Sequence, residues 1–198
     1  MTAISTPRRR SLYLLPLLVL PSVAQAHPGH GAATSLASGL AHPLLGLDHL
    51  CALVAVGLWA AQRGGRALWA VPLAFVSTMT LGALASTSGH TIPFTEQGIA
   101  ASVLILGILI AAAIRLPLAA SILLVGSFAW FHGFAHGAEI PANASGFAYG
   151  AGMVATTAGL HLVGIAVGLS AQKLARETFM CRCGWAIAAC GLYLTIAL

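Results

Sequence analysis

The sequence predicts an all-α protein that crosses a membrane six times, and three observations lead there. Of its 198 residues 59% are apolar and only 7% charged, against about 25% charged in an ordinary soluble domain. The apolar residues gather into six stretches of 18 to 23 residues, each long enough at about 1.5 Å per residue to cross a hydrocarbon core of about 30 Å. The basic residues between these stretches all fall on one side of such a six-span arrangement. Four acidic residues cannot solubilise a globule of this size, and disorder needs low hydrophobicity and high charge.

The first element precedes the spans. Arg8, Arg9 and Arg10 lead into an apolar run over 12–24 that is interrupted by Pro16 and Pro21 and followed by Ala24-Gln25-Ala26. The run is too short to span, and the pattern predicts a secretory signal peptide over 1–26, cleaved after Ala26. Residues 27–198 then form one transmembrane domain, with apolar stretches at 44–61, 67–88, 97–116, 118–138, 147–169 and 179–198. The short connections at 62–66 and at Arg115-Leu116-Pro117 make neighbouring helices antiparallel. Gly133/Gly137, Gly146/Gly150 and Gly164/Gly168 are G-x-x-x-G pairs, which let helix backbones approach closely.

Orientation follows from charge. Arg63 and Arg66 lie between the first two stretches, Arg115 between the third and fourth, and Lys173, Arg176 and Arg182 at the junction of the fifth and sixth. The positive-inside rule makes these connections cytoplasmic. Both mature termini are then external, in the periplasm of a bacterial inner membrane. The net charge of +5 forms no stripe, so no nucleic-acid partner is expected. Cys51, Cys181, Cys183 and Cys190 lack the spacing of a zinc or thioredoxin-type motif and read as small apolar packing residues.

An ionisable group inside a span costs about 2.5–3.5 kcal/mol even on the lenient scale, so each one is a functional candidate. Here they cluster. The first stretch opens with His42-Pro43-Leu44-Leu45-Gly46-Leu47-Asp48-His49, and the fourth closes with His132-Gly133-Phe134-Ala135-His136-Gly137-Ala138-Glu139. His42 and His49, seven apart, share a face if one helix includes both, and His132, His136 and Glu139 form a stripe at i, i+4 and i+7. On the six-span topology both groups lie toward the external half, with His132 and His161 deeper. Glu96 opens the third stretch, and His27 and His30 stand at the mature N-terminus. Neutral imidazoles with carboxylates suit Ni²⁺, Co²⁺ or Zn²⁺. Met1, Met79, Met153 and Met180 make no thioether motif.

These motifs resemble the HupE/UreJ family, membrane proteins of hydrogenase and urease gene clusters regarded as nickel permeases. The resemblance covers essentially the mature chain. It rests on His42-Pro-x-x-Gly46-x-Asp48-His49, continuing through Val56-Gly57-x-Trp59-Ala60, and on Phe128-Ala129-x-x-His132-Gly133-x-Ala135-His136-Gly137-x-Glu139. It implies that His42, Asp48, His49, His132, His136 and Glu139 handle metal, and that Phe75 and Glu96 occupy family positions. Leu53 departs from the pattern, where Met is expected, which bears on metal preference.

The expected activity is uptake of a divalent transition metal, Ni²⁺ foremost with Co²⁺ or Zn²⁺ as alternatives, driven by the membrane potential or by secondary transport. The entry site lies between the first and fourth spans. His27 and His30 capture metal outside, and His161, Glu96 and Phe75 complete or gate the site. No Gly-rich phosphate loop is present, no organic cofactor is expected, and no enzyme motif such as H-E-x-x-H occurs. The competing readings are a membrane metal sensor or chaperone and an intramembrane metalloenzyme.

Overall fold

The computed structural model describes residues 32–89, 91–142, 144–174 and 177–198. The expected signal peptide, His27, His30, His90 and Arg176 lie outside the described residues. The described chain is entirely helical: α1 (Ala32–Leu45), α2 (Leu47–Arg63), α3 (Ala67–Ser86), α4 (Thr95–Ala111), α5 (Leu118–Ala138), α6 (Gly146–Lys173) and α7 (Glu177–Ala197). Among these, α3, α5, α6 and residues 178–197 of α7 are long and apolar enough to cross a membrane. α4 has 17 residues, and α2 passes only together with α1.

The largest difference from the sequence reading lies at the start. The first apolar stretch does not begin as one helix at residue 44. α1 ends at Leu45, Gly46 is extended (φ −93°, ψ 122°), and α2 leaves at 82° to α1. Glycine leaves room at the corner for two side chains: a Cβ there would stand 2.6 Å from Asp48 Oδ1 and 3.0 Å from His49 Nδ1. α1 itself is held by α6 more than by its own sequence. Thr156 Oγ1 donates to the Leu40 carbonyl (2.8 Å), the Ser145 N–H donates to Ser35 Oγ (2.9 Å), and Gly39 and Gly152 let the two backbones meet.

α2 is the central helix, buried nearly all round through Ala52, Leu53, Ala55, Val56, Leu58, Trp59 and Ala60, as expected of a helix that is apolar on every face. It lies along α6, with Gly57 against Gly164 at backbone contact. α3 lies along α5, where a Cβ on Gly133 would meet the Met79 carbonyl and one on Gly137 the Ala83 carbonyl. α4 pairs with α7 through Gly107, Gly184 and Gly191. Two of the three expected glycine pairs therefore face a neighbour, whereas Gly146 and Gly150 face open space.

The two ends of this bundle differ in chemistry. At one end α2, α4, α6 and α7 surround a cavity of about 650 Å³ lined in part by Gln62, Arg115, Gln172 and Cys181. There Gln62 Nε2 donates to the Ile110 carbonyl (3.1 Å), Gln172 Nε2 to that of Ala61 (2.8 Å) and Trp59 Nε1 to that of Ile114 (3.2 Å). Arg63 and Arg66 flank the Gly64–Gly65 turn, whose positive φ values of 70° and 53° suit glycine. The start of α2 and the end of α5 meet at the opposite end, and the histidines lie there.

Candidate metal site

The bend at Gly46 builds the site. It turns the last turn of α1 back over the first turn of α2, so His42 and His49 meet across a corner, not along one helix face. Their ring centroids are 5.9 Å apart. The end of α5 supplies the third ring: His136 lies 5.0 Å from His42 and 4.4 Å from His49, centroid to centroid. One ligand nitrogen from each of His42, His49 and His136 lies within 4.8 Å of the others. Three helices thus converge three imidazoles on one point.

Two carboxylates brace the rings. Glu139, capping α5, stands 3.0 Å from His42 Nε2, and this hydrogen bond holds its carboxyl below the usual carboxylate range. Asp48 Oδ1 accepts the His49 backbone N–H (2.8 Å) and lies 2.7 Å from His49 Nδ1. The latter contact is close but poorly aligned, and neither ring nitrogen of His49 has a well-directed hydrogen bond.

His132 lies one turn deeper on α5, fully buried and 5.1 Å from His49 between ring centroids. Its Nε2 is 2.9 Å from Ser102 Oγ on α4. Ser102 Oγ also lies 2.6 Å from the Ile99 carbonyl; with its one proton directed there, the serine oxygen accepts from a proton on His132 Nε2. Nδ1 is left as a buried lone pair without a partner. Deeper still, Phe75 on α3 touches both His132 (5.5 Å) and His161 on α6 (5.2 Å). His161 is 1% exposed, and neither of its ring nitrogens has a partner. The imidazoles form a file from the half-exposed rim at His42 into the core.

The structure therefore brings together His42, Asp48, His49, His132, His136 and Glu139, with Phe75 and His161 continuing inward. Glu96 is exposed in the first turn of α4, and no ion pair joins it to the cluster among the described residues. Ser102 and Tyr149 were not legible beforehand. A lone serine in an Ile/Leu-rich apolar helix gives no signal, and neither does the buried tyrosine whose ring sits 6.0 Å from His42. Next to the cluster α3, α5 and α6 enclose an apolar cavity of about 470 Å³ that reaches His136, Tyr149, Met79 and Met153.

Three nitrogens within 4.8 Å of one another are close enough to share a cation but wider apart than bound ligands stand. A tetrahedral ion at about 2.1 Å from each nitrogen needs them about 3.4 Å apart, so the rings must close in on a cation. Each buried polar atom without a partner costs about 1–3 kcal/mol, and a bound cation relieves that cost.

Comparison with known proteins agrees with the motifs. The family model for HupE / UreJ protein matches residues 15–194. The protein HupE of Rhizobium leguminosarum bv. viciae is 41% identical over 187 residues, covering 92% of this chain and 95% of that protein. No solved structure matches.

Proposed function

The chain belongs to the HupE/UreJ family, a nickel/cobalt transporter family that serves hydrogenase and urease, and on that premise we propose that it takes up Ni²⁺ through the histidine file. Co²⁺ is the next cargo by the same chemistry. The observation that carries this reading is the convergence of His42, His49 and His136 from three helices on one point.

The cation arrives at the rim and exchanges water for the three imidazoles. Glu139 holds the His42 ring, Asp48 stands beside that of His49, and the two carboxylates offset the dication's two charges. His132, with its bare Nδ1, receives the ion next, and the Phe75 ring stands between it and His161. His27 and His30 raise the local metal concentration outside, and Glu96 adds negative charge at the same end of the bundle.

Six spans serve this path, formed by α2 to α7. The 17 residues of α2 and of α4 reach about 26 Å, at the lower limit for crossing. The basic connections face the cytoplasm of a bacterial inner membrane and both mature termini face the periplasm. A membrane potential then supplies about 2.3 kcal/mol per charge per 100 mV, or about 4.6 kcal/mol for a dication. The helix pairing supports a 3+3 inverted repeat: exchanging the two halves turns the α2–α6 contact into α5–α3 and leaves α4–α7 unchanged.

The test is nickel influx into proteoliposomes with an imposed potential, negative inside. Influx that rises with the potential and needs no nucleotide is expected. Binding without flux assigns the protein as a metal sensor or chaperone and overturns the proposal.

A further inference from the structure

The seating of α7 on α4 has a second effect. Gly107, Gly184 and Gly191 let these helices run antiparallel at backbone contact, and this brings α7 around Cys190 against α2. Cys51 Sγ and Cys190 Sγ then lie 3.7 Å apart, although 139 residues separate them. Both thiols are free, half-buried and packed against the apolar core. Cys51 is three residues beyond Asp48, on the same side of α2, just inward of the metal cluster. Cys181 and Cys183, two apart on one helix, point about 200° away from each other and cannot pair.

We propose that Cys51 and Cys190 are a redox pair that closes into a disulfide, tying α2 to α7 just below the metal-entry site. Two thiols 3.7 Å apart across helices must come closer by about 1.7 Å to reach the bond length of about 2.05 Å. Each thiol loses one proton and one electron. The acceptor is a dithiol–disulfide oxidant of the external compartment, whose own disulfide is reduced to two thiols. The bond pins the first turns of α2, which carry Asp48 and His49, so the ring closure that a cation demands is restrained. The thiol chemistry stands apart from the transport reading, and only its effect on flux rests on it.

The full-length protein in lipid vesicles is treated with diamide, a diazene that takes up two electrons and two protons to become a hydrazine. It is then denatured, alkylated with N-ethylmaleimide and weighed. Untreated protein should take four labels and oxidised protein two, with the Cys51 and Cys190 peptides joined and Cys181 and Cys183 labelled. Dithiothreitol should restore four. Four labels after oxidation, or a link elsewhere, overturns the pairing. In parallel, diamide should lower nickel influx several-fold in wild type, reversibly, and leave Cys190→Ser unaffected. Equal influx before and after, or an equal loss in the variant, overturns the regulatory role. The mass measurement needs no metal, so failure of the thiol pair and failure of the transport reading are seen separately.

Discussion

Replacing Gly46 by alanine isolates the corner that brings His42 and His49 together without removing any proposed ligand. Alanine adopts φ −93° and ψ 122° freely, so the backbone is not strained. The added methyl carbon, however, falls 2.6 Å from Asp48 Oδ1 and 3.0 Å from His49 Nδ1, where ordinary contact begins near 3.4 Å. The carboxylate oxygen must retreat by about 0.8 Å, and that one oxygen makes both the 2.8 Å bond from the His49 N–H and the 2.7 Å approach to its ring. A hydrogen bond to a charged group contributes about 1.5–3 kcal/mol. Displacing this carboxylate from beside His49 should lower nickel affinity about 10- to 100-fold, as loss of an outer partner of a metal-binding histidine does. Calorimetric titration of the purified variant with Ni²⁺ reads this directly. Gly150→Ala is the control, since nothing lies within 4 Å of its added carbon. A helical, monodisperse Gly46→Ala that binds nickel as wild type does would refute the reasoning.

Three further outcomes follow from the same geometry. Ser102→Ala removes the acceptor that fixes the His132 tautomer and should lower nickel affinity at least about tenfold, as loss of an outer partner of a metal-binding histidine does; titration with Ni²⁺ checks it. Influx should fall as pH drops from about 7.5 to 5.5, because protonated imidazoles cannot ligate. Glu139 does not cause that fall: its depressed carboxyl keeps the His42 contact above its own pKa and loses it only as pH falls through a value below the ordinary carboxylate range. A flat profile over that window would show that no imidazole the cation depends on takes up a proton within it. Gly133→Ala sets a methyl on the Met79 carbonyl and should destabilise the α3–α5 pair by about 1–3 kcal/mol, seen as a lower melting temperature in detergent, whereas Gly150→Ala should not.

What the sequence disclosed depended on whether the cause was local. The stripe of His132, His136 and Glu139 could be read because helical periodicity alone sets it. The closeness of His42 and His49 has a cause other than their spacing. Seven residues suggested one helix face, but an 82° corner at Gly46 brings them together. α1 escaped because its small residues carry no spanning signal, and its helix is secured by Thr156 and Ser145 of the distant α6 region. The glycine pairs showed where close packing is allowed and not where it occurs. Gly164 meets Gly57, while Gly146 and Gly150 meet nothing. Ser102 and the Cys51–Cys190 contact depend on which helices lie side by side, and no spacing within one segment reports that.

The central claim is that His42, His49 and His136 hold the cation on its way in. It is tested most directly by nickel influx into proteoliposomes under an imposed potential, comparing wild type with Asp48→Ala and His136→Ala reconstituted at equal density. The account predicts that both variants lose at least about tenfold in influx, since each removes a group that binds or orients at the point of convergence. Influx equal to wild type in both would contradict it.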